Sequence, residues 1–226
     1  MEKLVIYQVF TRLFGANASK NVSNGTKKEN GCGKMADFTS AALAEIKKLG
    51  ATHIWYTGLI EHATKSDYTS YGIPKDHPAV VKGNAGSPYA IKDYYDIDPD
   101  LATKVPERMK EFERLVVRTH KAELKVIIDF VPNHVARQYH SDAKPEGVLD
   151  LGEDDDTTMS FNPHNNFYYL PGTTFSPSFS LYDEEMGDYV EKPAKVTGND
   201  CFTQWAGQND WYETVKINYG DQHTAT

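Results

Sequence analysis

The stretch Ile128-Asp129-Phe130-Val131-Pro132-Asn133-His134 decides the fold. It closes an apolar run, residues 125–131, that reads as a strand. Side chains alternate along a strand, so Ile127, Asp129 and Val131 share one face. Among apolar neighbours, a carboxylate at 129 is costly unless a cation or a hydrogen-bond donor meets it. Pro132 ends the strand and leaves Asn133 and His134 just beyond it. An amide and an imidazole placed there can hold sugar hydroxyls or a metal. Taken singly, asparagine is more often a turn residue and histidine a structural hydrogen bonder.

Upstream, strand and helix alternate. Residues 4–10 form a buried strand, and residues 39–49 a helix with Ala42, Leu43, Ile46 and Leu49 on its apolar face. Asp37 or Thr39 serves as its N-cap, and Gly50 ends it. Residues 52–57 give a second strand. Residues 106–121 form a second helix, with Pro106 in its first turn and a stripe of Met109, Phe112, Leu115, Val116 and Thr119. The order strand, helix, strand, helix, strand implies an α/β fold with a parallel sheet.

A dinucleotide-binding fold and a (β/α)8 barrel both start this way. The first needs a glycine fingerprint after its first strand. Here Gly31 and Gly33 lack a third glycine, and Gly31-Cys32-Gly33-Lys34 is followed by Met35 instead of a P-loop serine or threonine. The connections are long. Residues 15–33 read as a polar loop, and residues 61–100 as a loop rich in Gly, Pro, Tyr and Asp. Residues 135–210 read as an irregular, β-leaning insertion. Residues 211–219 begin another helix or strand.

The chain has 226 residues and a net charge of -8, which disfavours a nucleic-acid partner. Two cysteines, Cys32 and Cys201, cannot make a disulfide framework; one bridge between them is open, and two free thiols are the preferred reading. No stretch has membrane-spanning length, so no membrane partner is expected. The N-terminus is no signal peptide, although a removed signal leaves an extracellular or periplasmic home open. Three sequons, at Asn17, Asn21 and Asn24, lie in the first polar loop and carry little weight.

Residues 129–134 resemble the Asp-x-Val-x-Asn-His motif of the alpha-amylase family, glycoside hydrolase family 13. Ile6-Tyr7-Gln8-Val9-Phe10 resembles the family's opening strand. Residues 49–55, 87–99, 165–169 and 210–216 resemble further family segments in the same order. The resemblance implies a partial (β/α)8 TIM barrel, about the first three βα units, with an irregular β-rich domain B after the third strand. The implied limits are 1–134 for the barrel part, 135–210 for domain B, and 211–226 for a return toward the barrel.

The resemblance also implies roles. Tyr89 matches a tyrosine that stacks on the sugar at the cleavage subsite, and His134 a histidine that hydrogen-bonds that sugar. Asp129 matches an aspartate that organises the site toward an arginine on the next strand. Asn133 matches a ligand of a structural calcium. Asp142, Asp150 or the acidic run 153–156 can add carboxylates, or else form a solvated loop. Lys34 stands where some members carry an aspartate of a calcium loop, so no calcium is expected there. Gly58 stands where many members have a proline.

Family members are retaining enzymes, which need two facing carboxylates. No string in these residues resembles the nucleophile or general-acid motifs, so no catalytic residue is assigned. The chain is therefore expected to be a truncated piece of a glycosidase for alpha-glucans such as starch or maltooligosaccharides. It is expected to be inactive alone, with self-association through its open barrel edge as an option. The alternative is a non-catalytic carbohydrate-binding or assembly relative.

Overall fold

In a computed structural model, residues 3–17 and 20–220 are described. The sequon at Asn17 runs into residues 18 and 19, which lie outside them, as does the end of the 211–226 segment. In chain order the elements are β1 (Ile6–Phe10), α1 (Lys27–Asn30), α2 (Ser40–Lys48), β2 (His53–Thr57), β3 (Ile60–His62), β4 (Ile91–Ile97), α3 (Arg108–Lys121), β5 (Lys125–Ile128) and β6 (His134–Ala136). Four two-residue strands follow, β7 (Tyr169–Leu170), β8 (Tyr182–Asp183), β9 (Gly187–Asp188) and β10 (Ala194–Lys195), and then β11 (Thr214–Lys216). The chain forms two compact units: residues 1–61, 68–73 and 95–130, and residues 62–67, 74–94 and 131–226. It passes from one to the other within β3 and again within β4.

The first unit holds the expected parallel sheet, in the order β1-β2-β5. Ile6 pairs with His53 and His53 with Lys125, so β2 is the central strand. Leu43, Ile46, Ile54, Tyr56, Leu115 and Leu124 are buried together in its core. Phe14 stacks on Phe38 at 4.1 Å, and Phe38 meets Tyr56 edge-on at 4.9 Å. The Tyr56 hydroxyl lies 2.6 Å from Thr119 Oγ1, and burial pushes its pKa up to about 12.

Helix α2 starts at its Thr39 cap, whose Oγ1 accepts from Ala42 N at 3.2 Å. It stops at Lys48, which leaves Leu49 exposed and off the expected apolar face. Pro106 sits in a 3-10 turn just ahead of α3, not in its first turn. In place of a cap at its first residue, Glu111 turns back and accepts from Thr103 N and Lys104 N. The polar loop 15–33 contains the single-turn α1, closed by a capping box between Thr26 and Glu29.

Two expectations need correction. Strand β5 ends at Ile128, so Asp129 and Val131 lie past it. The 61–100 connection is not all loop, because β3 and β4 lie in it or at its edge. Strand β4 hides from a periodicity reading because Lys92, Asp93 and Asp96 are among its buried residues. Each has a partner: Lys92 pairs with Asp76 at 3.3 Å, Asp93 accepts from Ala143 N at 3.2 Å, and Asp96 accepts from Arg108 Nε at 2.8 Å. Buried charge is tolerated where it is paired in this way.

In the second unit β6 pairs antiparallel with β11, so the 211–219 segment contains a strand. Val135 and Val215 face each other in an apolar cluster with Phe167, Tyr169 and Ile217. Strands β7 and β10 pair, as do β8 and β9. A second cluster gathers Val80, Phe175, Ala194 and Ala206. Cys32 and Cys201 are both free thiols. No helix among the described residues is long and apolar enough to cross a membrane.

Candidate functional site

Asp129 belongs to the first unit and lies just past β5. It is half-buried, and it finds the donors that a carboxylate there requires. Trp55 Nε1, from β2, donates to its Oδ1, and Gly58 N donates to its Oδ2 at 3.2 Å. A non-proline residue at 58 bears directly on this contact, since proline has no N–H to give.

The second unit brings Tyr89, Asn133 and His134 together. His134 is the first residue of β6 and pairs with Lys216 across the ladder. Its ring is almost wholly buried and lies 5.1 Å from the ring of Trp211, at a tilt of 57°. The backbone of Tyr89 lies close enough to the imidazole to act on its charge. Burial pushes the pKa of His134 down and the nearby Lys216 ammonium adds to this, while the Tyr89 contact opposes it. The ring is therefore neutral near pH 7. Tyr89 sits in a tight turn in which Ala90 N donates to Ser87 O at 3.0 Å. The Tyr89 side chain remains exposed, as does that of Trp211.

Asn133 Nδ2 lies 3.0 Å from His134 Nδ1 and donates to Gly198 O at 2.8 Å. Asn133 Oδ1 accepts from Lys216 Nζ at 2.8 Å. Gly198 is packed so closely that a Cβ there would lie 2.5 Å from Thr214 Oγ1 and 2.8 Å from His134 Cβ. The result is a neutral imidazole, an exposed phenol ring and an exposed indole ring. Such a group can bind the polar rim and apolar face of a sugar ring.

The model of the alpha-amylase catalytic domain matches residues 8–213. The chain belongs to the alpha-amylase family. It is 29% identical to trehalose-6-phosphate hydrolase of Bacillus subtilis (strain 168) over 138 residues, 61% of this chain and 18% of that protein. It is 24% identical to alpha-amylase 2 of Dictyoglomus thermophilum over 194 residues, 86% of this chain and 29% of that protein. The structure of the alpha-glucosyl transfer enzyme XgtA covers 98% of this chain at 19% identity and a TM-score of 0.50, with 32% of that chain covered. That likeness speaks to fold alone. The chain thus spans about a fifth to a third of these relatives. The alpha-amylase family has a TIM-barrel fold. The described residues supply a three-stranded part of an α/β architecture and no closed barrel.

The resemblance to the alpha-amylase family implied a calcium at Asn133. The donors around Asn133 do not fit one. Calcium takes six to eight oxygen ligands at roughly 2.3–2.6 Å, and the one side-chain oxygen of Asn133 already accepts from an ammonium. Carboxylates able to serve a metal lie elsewhere. In the first unit Glu61 and Asp96 bring carboxylate oxygens within 4.8 Å of each other, and in the second Asp93 and Asp142 do the same. Asp150, another expected carboxylate, pairs with Lys144 at 2.9 Å and with His140 at 2.8 Å. In the acidic run, Asp155 accepts from Asn166 N and Phe167 N, and Asp156 from Thr158 N. Asp155 and Asp156 are thus hydrogen-bonded into their own loop.

Sequence reasoning missed Lys216, Gly198 and Trp211. The available signal was the short alternation Thr214-Val215-Lys216, whose meaning depends on pairing with a strand about 80 residues away.

Proposed function

We propose that this chain carries the front of the catalytic domain of a retaining glycosidase acting on alpha-glucosidic bonds of starch or maltooligosaccharide type. Tyr89 stacks on the sugar, and His134 contacts the same ring. Asp129 serves as the organising aspartate that the family resemblance implies, and the segment after β5 serves as domain B. The observation that carries this is the packing of the buried His134 ring 5.1 Å from the exposed Trp211 ring, within a chain whose family match runs over residues 8–213. It holds an exposed aromatic face beside a buried neutral imidazole, as sugar recognition requires.

A retaining glycosidase needs two carboxylates about 5–5.5 Å apart. The sequence of this chain holds no string resembling the family's nucleophile motif. The 226-residue polypeptide by itself is therefore a binding fragment without turnover. Titration with maltoheptaose, followed by tryptophan fluorescence and by amide chemical shifts, tests the reading. Saturable binding is expected, weakened roughly two- to tenfold in Tyr89→Ala by loss of aromatic contact. Equal affinity in the wild type, Tyr89→Ala and His134→Ala would sink the assignment of the sugar site. New reducing ends from starch that co-purify with the chain would sink the inactivity claim.

A further inference from the structure

The misfit of calcium at Asn133 points to a different cation. We propose that Lys216 takes the place of a metal at this site: its ammonium orients the Asn133 amide, and the amide fixes His134 as the tautomer protonated at Nε2. Lys216 is then a positioning residue for His134.

The placement of protons follows from what each partner is able to do. An ammonium only donates, so the Asn133 atom at 2.8 Å from Lys216 Nζ is the carbonyl oxygen. A backbone carbonyl only accepts, so the Asn133 atom at 2.8 Å from Gly198 O is the amide nitrogen. Together these two partners fix the amide orientation, where one alone leaves it to assignment. The same amide nitrogen lies 3.0 Å from His134 Nδ1. That ring nitrogen must then accept, which leaves the ring proton of the neutral imidazole on Nε2.

Lys216 is well placed for this duty. It pairs with His134 in the β6–β11 ladder, and its own N–H donates to Val196 O at 2.9 Å. Its side chain is 22% exposed, and its ammonium is also 3.1 Å from Asp200 Oδ1. The charge is thus held by the strand register and balanced by a carboxylate. An ion seated on Asn133 Oδ1 would have to displace it. The inference concerns these side chains and does not depend on which sugar, if any, binds.

Two measurements on the unaltered 226-residue chain test it. Long-range proton–nitrogen correlation spectra of the histidine rings should show His134 as a single neutral tautomer carrying its proton on Nε2. Calorimetric titration with calcium should give no binding that Asn133→Ala abolishes. In Lys216→Met, checked for folding by circular dichroism, the single tautomer should be lost, and Lys216→Arg should restore it. A His134 proton on Nδ1 in the wild type would overturn the proposal. So would calcium binding that Asn133→Ala removes, or a folded Lys216→Met with an unchanged tautomer. Each readout is independent of glucan binding, so its failure is distinguishable from failure of the functional reading.

Discussion

Arg137 Nη1 donates to Glu191 Oε1 at 2.7 Å, with the guanidinium fully enclosed. The same side chain gives Nε to Tyr212 O at 2.6 Å and Nη2 to Thr214 O at 3.0 Å, and it lies 3.9 Å over the ring of Phe175. One cation therefore ties together segments around residues 137, 175, 191 and 212–214. Arg137→Met should destabilise the second unit by about 3–5 kcal/mol, because it strands a buried carboxylate. Urea unfolding checks this, and the double variant Arg137→Met/Glu191→Leu should lose less than the single one.

Gly198→Ala should lower stability by about 1–3 kcal/mol, the usual cost of forcing a methyl group into packed surroundings. The new carbon would lie against Thr214 and His134. Thermal unfolding gives the stability loss, and maltoheptaose affinity should fall with it. A variant as stable as wild type would show that the loop shifts freely.

Asp100 should make the first unit sensitive to acid. Burial alone would raise the pKa of its carboxyl. The Arg12 guanidinium beside it and donors from Arg12, Lys27 and Tyr68 outweigh burial and hold it well below the usual carboxylate range. The folded pKa thus lies beneath the unfolded value of about 3.9. The resulting stabilisation is present above that unfolded value and is lost as pH falls through the folded pKa. Urea midpoints for wild type and Asp100→Asn should differ most above pH about 4 and converge below it. A gap that stays constant with pH would contradict this.

Strands β1 and β5 are the outer strands of the parallel sheet among the described residues. Ile6 and Ile128 on them are 50% and 41% exposed. Uncovered strand edges invite pairing with another copy, and a lysine on the edge blocks it. Sedimentation velocity on the isolated chain should show concentration-dependent association, reduced in Ile6→Lys. A monomer at all concentrations would rule out this edge as an interface.

Much of the first unit was legible because its strands and helices carry their own periodicity. Leu43, Ile46 and Leu115 are buried where the helical stripes placed them. The string 129–134 likewise placed Asn133 and His134 side by side. Strand β4 was silent because several of its inward positions are charged, and their partners are 12 to 50 residues away. Leu49 misled because the helix stops one residue before it. Lys216 could not be seen as part of the site, since a lysine in sequence looks like any solvated charge until its strand is paired.

The β6–β11 ladder has a consequence for misfolding. Val215 faces Val135 in an apolar cluster, while the next residue, Lys216, faces His134. Sliding one strand by a single position would drive the ammonium into oil-like surroundings and set a valine against the imidazole. Each neighbour thus vetoes the other's mistake, and a ladder only three rungs long is held to one alignment by the mismatch between them.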